Sequence, residues 1–202
     1  MRAATLILAS GSPRRAELLA AMGLPFTVRV PDVDETPLPG EAPAAYVGRL
    51  ARAKAEAVMV AAEPGSVSLG ADTTVVLDGK ILAKPVDADD GIRMLSALSG
   101  RTHSVLTGIA ASDGRRTESR IVAADVTFRV LAPGEAEAYW RSGEPADKAG
   151  GYGIQGIGGI FARTVHGSYS AVVGLPLCET EELLNALDVD TWKLRELNRD
   201  HG

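Results

Sequence analysis

One cysteine, Cys178, stands in 202 residues, so no intramolecular disulfide can form and nothing implies an oxidising compartment. It lies where a helix is predicted to begin and reads as structural rather than as a nucleophile. No stretch is dominated by Lys and Arg, and the net charge is −5. That argues against a surface built to grip a DNA or RNA backbone. A small anionic substrate stays open, because a few local cations suffice to hold one. No apolar run is long enough to cross a bilayer. The start of the chain has a weak likeness to a signal peptide, but its apolar run is short and Pro13, Arg14 and Arg15 follow at once. The expectation is a soluble, cytoplasmic protein with no membrane and no nucleic acid polymer as partner. His103, His166 and His201 lack metal-ligand spacing, which argues against zinc. Internal repeats, linkers and low-complexity segments are also missing.

What is present can fold. Hydrophobic residues make up 46% of the chain, enough to bury a core. Residues 6–8 read as a buried strand, and Ser12 and Pro13 as the cap and first turn of a helix reaching Met22 and closed by Gly23. Residues 26–30 alternate like a strand, an acidic turn follows, and Pro43 opens an Ala-rich helix to about residue 62. Residues 66–77 and 80–82 are predicted as strands around an Asp78-Gly79 hairpin turn. A helix over 88–98 is followed by strands over 102–110 and 117–130 and a short helix over 135–141. After a glycine-dense loop at 150–159, strands are predicted over 160–165 and 171–173, then a helix over 179–187. The polar segment after Asp190 reads as a loosely attached tail. Mixed helices, strands and hairpins predict an α/β fold with a mixed sheet.

Four clusters carry chemistry. In Leu8-Ala9-Ser10-Gly11-Ser12-Pro13-Arg14-Arg15 a strand runs through small residues into a helix N-terminus. Backbone N–H groups, the helix dipole and the Ser10 and Ser12 hydroxyls would favour an anion there. Arg14 and Arg15 sit in the first turn, where the dipole disfavours cations; a bound polyphosphate removes the conflict. The bland alternative is an ordinary Ser-Pro helix start, and the arginine pair tips the reading to an anion site. It is not a Walker loop, because no Gly-Lys-Ser/Thr follows.

Asp72 interrupts an apolar, β-branched strand and needs a partner if buried; a strand-end aspartate is the competing reading. Asp32, Asp34 and Glu35 form a second acidic group on a turn, either metal-binding or simply solvated. Together these are hard oxygen ligands suited to Mg²⁺ or Mn²⁺. On a helical wheel Tyr46, Leu50, Ala53 and Ala57 share an apolar face with Lys54 at its edge, either snorkelling or reaching towards phosphate. Lys84, before Pro85, is equally ambiguous. Gly151-Tyr152-Gly153-Ile154-Gln155-Gly156 matches G-x-G-x-x-G, but no strand leads into it and no helix starts there, so a dinucleotide site is rejected. Asp147, Lys148 and Gln155 decorate that loop with groups suited to reading a base.

In order along the chain, Ala9-Ser-Gly-Ser-Pro-Arg-Arg15, Gly70-Ala-Asp-Thr73, Lys84-Pro85, Leu98-Ser-Gly-Arg-Thr-His103, Asp147-Lys-Ala-Gly-Gly-Tyr-Gly-Ile-Gln-Gly156 and Gly167-Ser-Tyr-Ser-Ala-Val-Val-Gly-Leu-Pro176 resemble the Maf family. Only Ala83 departs, where the family often has Gly before Lys-Pro. The resemblance implies a Maf/inosine-triphosphatase-like sheet flanked by helices, two lobes with a central cleft, a single catalytic domain over 1–190 with a polar tail over 191–202, and a homodimer. It implies a divalent metal and hydrolysis of a nucleoside triphosphate between the α- and β-phosphates. Carried over, Asp72 is the catalytic base or metal-organising carboxylate and Glu35 helps bind metal. Ser10, Arg14, Arg15, Lys54 and Lys84 hold phosphates, while Arg14, Thr73 and Gln155 tune specificity. Asp147-Lys148 with Gln155 looks like the subgroup acting on dTTP and UTP, with modified pyrimidine nucleotides as further candidates. The expected step is in-line attack of water on the α-phosphorus, the metal lowering that water's pKa. The rivals are a pyrophosphatase for 7-methyl-GTP, whose charged base would gain from Glu in place of Gln155, and a nucleotide-sensing cell-division regulator with little turnover.

Overall fold

The computed structural model describes residues 4–199; the first three residues and those from Asp200 on, His201 among them, lie outside the described residues. Strand β1 (Thr5–Ala9) pairs parallel with both β2 (Phe26–Val28) and β3 (Ser66–Leu77). Strand β4 (Lys80–Leu82) folds back antiparallel on β3 through Asp78 and Gly79, both at positive φ, the geometry of the tight hairpin expected from Asp-Gly. With β5 (Thr102–Ser112), β6 (Thr117–Phe128) and β7 (Ala162–His166), these make a seven-stranded sheet in the order β2-β1-β3-β5-β6-β7, with β4 on β3. Strand β7 is antiparallel to β6, so the sheet is mixed, as expected of this α/β chain.

The chain divides into two compact units. The first takes the residues up to Asp72, Thr107–Val122 and the chain from Gly174 on. Its core sets Leu6 and Leu8 of β1 and Leu69 of β3 against Leu19 of helix α1 (Pro13–Ala21) and Leu183 and Leu184 of a later helix, Leu177–Ala186. Helix α2 (Pro43–Met59) also belongs here. The second unit, Thr73–Leu106 and Ala123–Val173, holds helices α3 (Ala88–Leu98), α4 (Glu135–Trp140) and α5 (Tyr169–Val173). Its core centres on Leu95, Leu98, Val126, Phe128, Tyr139 and Phe161. The later helix of the first unit is α6, and α7 spans Thr191–Arg199.

Three expectations are corrected. Residues 171–173, expected as a strand, lie in α5: the Ser168 hydroxyl accepts from the Ala171 N–H and the Ser168 carbonyl from the Val172 N–H, which closes a helical turn despite two valines. The expected strand over 160–165 begins only at Ala162, because Ile157–Phe161 winds as a 3₁₀ turn. Residues 191–199 of the polar segment, expected to be loosely attached, form α7, while 200–202 lie outside the described residues. Asp190 accepts from the Lys193 N–H, Leu194 is buried, and Arg195 bonds both Glu181 and the Met22 carbonyl. A polar composition hid one apolar contact and one ion pair.

Candidate active site

Strand β1 delivers Ser10, which is buried, straight into the start of α1. Ser12 holds the N-cap position in an extended conformation, yet no side chain caps the helix and no acid sits in its first turn. Instead the Ser12 N–H donates to Ser10 Oγ at 3.1 Å. The two arginines part company. Arg15 turns inward: its Nε donates to the Gly174 carbonyl at 2.9 Å and its Nη1 to Ser10 Oγ at 3.3 Å. Burial lowers its pKa and Asp72 pushes it back up, but an arginine stays charged throughout. Arg14 is partly exposed and, among the described residues, forms no hydrogen bond or ion pair.

Helix α2 buries Val47, Leu50, Ala51, Lys54, Ala55 and Val58. Lys54 is therefore central to the buried stripe, not at its edge. The abundance of alanine blurred the wheel, and Ala57 faces solvent. The stripe comes unusually close to the sheet: a Cβ on Gly70 would lie 2.3 Å from the Ala51 carbonyl oxygen, and one on Gly108 2.4 Å from the Val47 carbonyl oxygen. On β3, Ser68, Gly70 and Asp72 share one face. Ser68 donates to the Ala55 carbonyl at 2.7 Å, and four residues on, Asp72 Oδ1 meets Lys54 Nζ at 2.7 Å.

The same ammonium meets Glu35 Oε1 at 2.6 Å. Glu35 is held there because Tyr46 Oη donates to its backbone carbonyl and Arg49 to the carbonyl of Thr36. Asp34 is spent within the turn, accepting from the Thr36 N–H. Burial raises the Asp72 pKa, while Lys54 and Arg15 pull it down and Glu35 pushes it up again. Two carboxylates thus gather about one cation position. Among the described residues no group of three or more His, Cys, Asp or Glu could hold a metal. Two carboxylates with phosphate oxygens and water are nevertheless a donor set that Mg²⁺ or Mn²⁺ accepts.

Thr73, Lys84, Lys148 and Gln155 belong to the second unit. Thr73 follows Asp72 on β3 and is partly exposed; Lys84 is exposed beside the buried Pro85. The Ala83 carbonyl accepts from the Gly150 N–H, tying this segment to the glycine loop. Lys148 is already engaged, donating to the Glu144 carbonyl at 2.8 Å and to Asp147 Oδ1 at 2.6 Å. Gln155 is exposed at the loop's crest. Sequence reasoning missed Glu144, whose carboxylate accepts from Tyr139 Oη and from the Ile157 and Gly158 N–H groups. It also missed the link from Arg15 to Gly174, a carbonyl 159 residues away for which no local spacing gives a signal.

The Maf-like protein family matches residues 5–187. A protein of Vibrio cholerae named dTTP/UTP pyrophosphatase is 54% identical over 187 residues, covering 92% of this chain and 99% of its own length. One of Saccharophagus degradans with the same name is 52% identical over 193 residues, covering 94% of this chain and 92% of its own. Among solved structures, the Staphylococcus aureus Ham1 protein aligns with 61% of this chain and 71% of its own at 16% identity and a TM-score of 0.45. A family match over residues 5–187 and relatives more than half identical over nearly the whole length make this chain a member of the Maf family.

Proposed function

We propose that this protein is a nucleoside triphosphate pyrophosphatase that hydrolyses dTTP and UTP to the monophosphate and pyrophosphate. The observation that carries the reaction is the buried Asp72, paired with Lys54 and with Glu35 on the same ammonium. The relatives named dTTP/UTP pyrophosphatase supply the substrate.

Each residue has a role that its surroundings support. Asp72, with its pKa raised by burial, accepts a proton from the attacking water more readily than an exposed aspartate. Lys54 fixes the orientation of that carboxylate and adds positive charge against the phosphates. Ser10 and Ser12 offer hydroxyl donors at the start of α1. Arg14 reaches substrate oxygens while Arg15 holds Ser10 in place. Lys84 is a further phosphate cation, and Thr73 shapes the site beside Asp72. Glu35 and Asp72 would hold a divalent cation, Mg²⁺ or Mn²⁺, which when bound neutralises phosphate charge and lowers the pKa of the attacking water.

Gln155 reads the base. Its neutral amide offers a donor and an acceptor to the carbonyl and N–H edge of uracil and thymine. Lys148 fixes the loop through Glu144 and Asp147, and its ammonium, which accepts no hydrogen bond, disfavours cytosine. A cytoplasmic homodimer completes the reading; the single cysteine fits a reducing compartment. The test is a set of kcat/KM ratios for purified protein with Mg²⁺ or Mn²⁺. Preference for dTTP and UTP over 7-methyl-GTP and CTP is expected, with Gln155→Glu moving it towards 7-methyl-GTP. A wild-type preference for 7-methyl-GTP overturns the substrate assignment.

A further inference from the structure

The G-x-G-x-x-G spacing in the second unit lies between 3₁₀ turns rather than between a strand and an α-helix, yet its glycines are not idle. A Cβ on Gly156 would lie 2.3 Å from Glu144 Oε2, and one on Gly158 2.5 Å from Tyr139 Oη. A Cβ on Gly153 would lie 2.9 Å from Lys148 Cε and 3.1 Å from Glu144 Oε1. The loop is glycine-rich because it is wrapped around one carboxylate and the phenol beside it.

The hydrogen bonds show what the wrapping does. Glu144 Oε2 accepts from the Ile157 N–H at 2.8 Å, and Oε1 from the Gly158 N–H at 3.0 Å. Oε1 also accepts from Tyr139 Oη at 2.7 Å, and that same Oη accepts from the Gly153 N–H at 3.0 Å. Gly153 lies before Gln155 in the chain, and Ile157 and Gly158 lie after it. The exposed Gln155 is therefore gripped on both flanks by one carboxylate, directly on one side and through a phenol on the other. The Glu144 backbone carbonyl additionally accepts from Lys148 Nζ at 2.8 Å.

We propose that Glu144 is a positioning residue for base discrimination, holding the Gln155 crest and Lys148 in one fixed geometry through the Tyr139 relay and the 157–158 amides. This rests on the reading that Gln155 contacts the base. Glu144 itself touches no substrate. A carboxylate is needed because three donors converge on its two oxygens; in glutamine one oxygen becomes an NH₂, which sets donor against donor. Burial alone would raise the Glu144 pKa, but the bonds from Gly158, Tyr139 and Ile157, with Lys148 nearby, leave it lowered, so the group is ionised at neutral pH.

The experiment is a double-mutant cycle read as the ratio of kcat/KM for dTTP to that for 7-methyl-GTP. It compares wild type, Gln155→Ala, Glu144→Gln and the double variant, each checked for folding by circular dichroism. Gln155→Ala is expected to lower the ratio about tenfold, Glu144→Gln by a similar factor, and the double variant no further than Gln155→Ala alone. A Glu144→Gln variant that keeps the wild-type ratio overturns the proposal, and so do losses that multiply in the double variant, since Glu144 would then act independently of Gln155. A Gln155→Ala variant with the wild-type ratio overturns the base-reading role itself, and the proposal with it. If Glu144→Gln does not fold, Tyr139→Phe removes only the relay. A loss of about threefold that vanishes in the Gln155→Ala background supports the proposal, and an unchanged ratio overturns it.

Discussion

A lysine ammonium is buried only where its charge is met, and Lys54, 7% exposed, is met by two carboxylates. The two arginines of α1 show the opposite contrast, same type and adjacent position but different work. Arg15→Ala severs bonds to Gly174 and Ser10 and should cost about 1–2 kcal/mol of stability, whereas Arg14→Ala should stay within about 0.5 kcal/mol or gain slightly, because the helix dipole opposes that cation. Both should weaken triphosphate use. Urea unfolding without ligand checks this; equal stability losses contradict it. His103 gives a pH signature. It is 2% exposed, its Nε2 pairs with the Tyr152 hydroxyl at 2.8 Å, and burial holds its pKa down to about 4 against 6.5 for a free histidine, with Asp125 opposing weakly. Below the free value the unfolded chain takes up a proton that the folded chain refuses, so stability falls as pH drops from about 6.5 towards about 4 and is unaffected by this group above that window. Between about pH 7 and about pH 5 wild type should lose about 2 kcal/mol more than His103→Gln, measured by urea unfolding at both. Parallel losses would mean that His103 titrates normally.

Helix α2 and strand β3 build the Lys54–Asp72 pair together, and the glycines between them set the spacing. In Gly70→Ala a Cβ would press on the Ala51 carbonyl and the Ala55 N–H, so α2 must move off the sheet. A loss of about 3 kcal/mol is expected, with turnover falling because Lys54 shifts from Asp72. Gly79→Ala is the control: it is strained by its φ of +76 but has nothing within 4 Å, so it should cost only about 1 kcal/mol and leave turnover alone. Urea midpoints and initial rates separate the two, and equal costs contradict the packing account. These elements were legible to different degrees. Strands β3 and β4 announce the turn between them through Asp-Gly, and α3 has the bounds expected for it. Helix α5 was not legible, since Ala-Val-Val carries β propensity and only the Ser168 turn overrides it. Helix α7 was hidden because its stability lies in Leu194 and in the pairing of Arg195 with Glu181, both long-range.

At the scale of the whole chain, each unit keeps its own core and its own set of candidate residues. The first carries Ser10, Arg15, Glu35, Lys54 and Asp72; the second carries Lys84, Lys148 and Gln155. The candidate residues were legible because they break local rules: arginines at a helix N-terminus, an acid in an apolar strand, an amide among glycines. Their supports were not. The Arg15–Gly174 bond and the Glu144 clamp join residues by chain path rather than by period, and no spacing encodes them. No described helix is long and apolar enough to cross a membrane. Hydrolysis between the α- and β-phosphates should depend on Asp72. The measurement that meets it directly is product analysis of dTTP turnover with Mg²⁺ by wild type and by folded Asp72→Asn. Wild type should release dTMP and pyrophosphate in equal amounts, and the variant should be slower by about a thousandfold or more. Release of dTDP and orthophosphate, or near-normal turnover by Asp72→Asn, would contradict it.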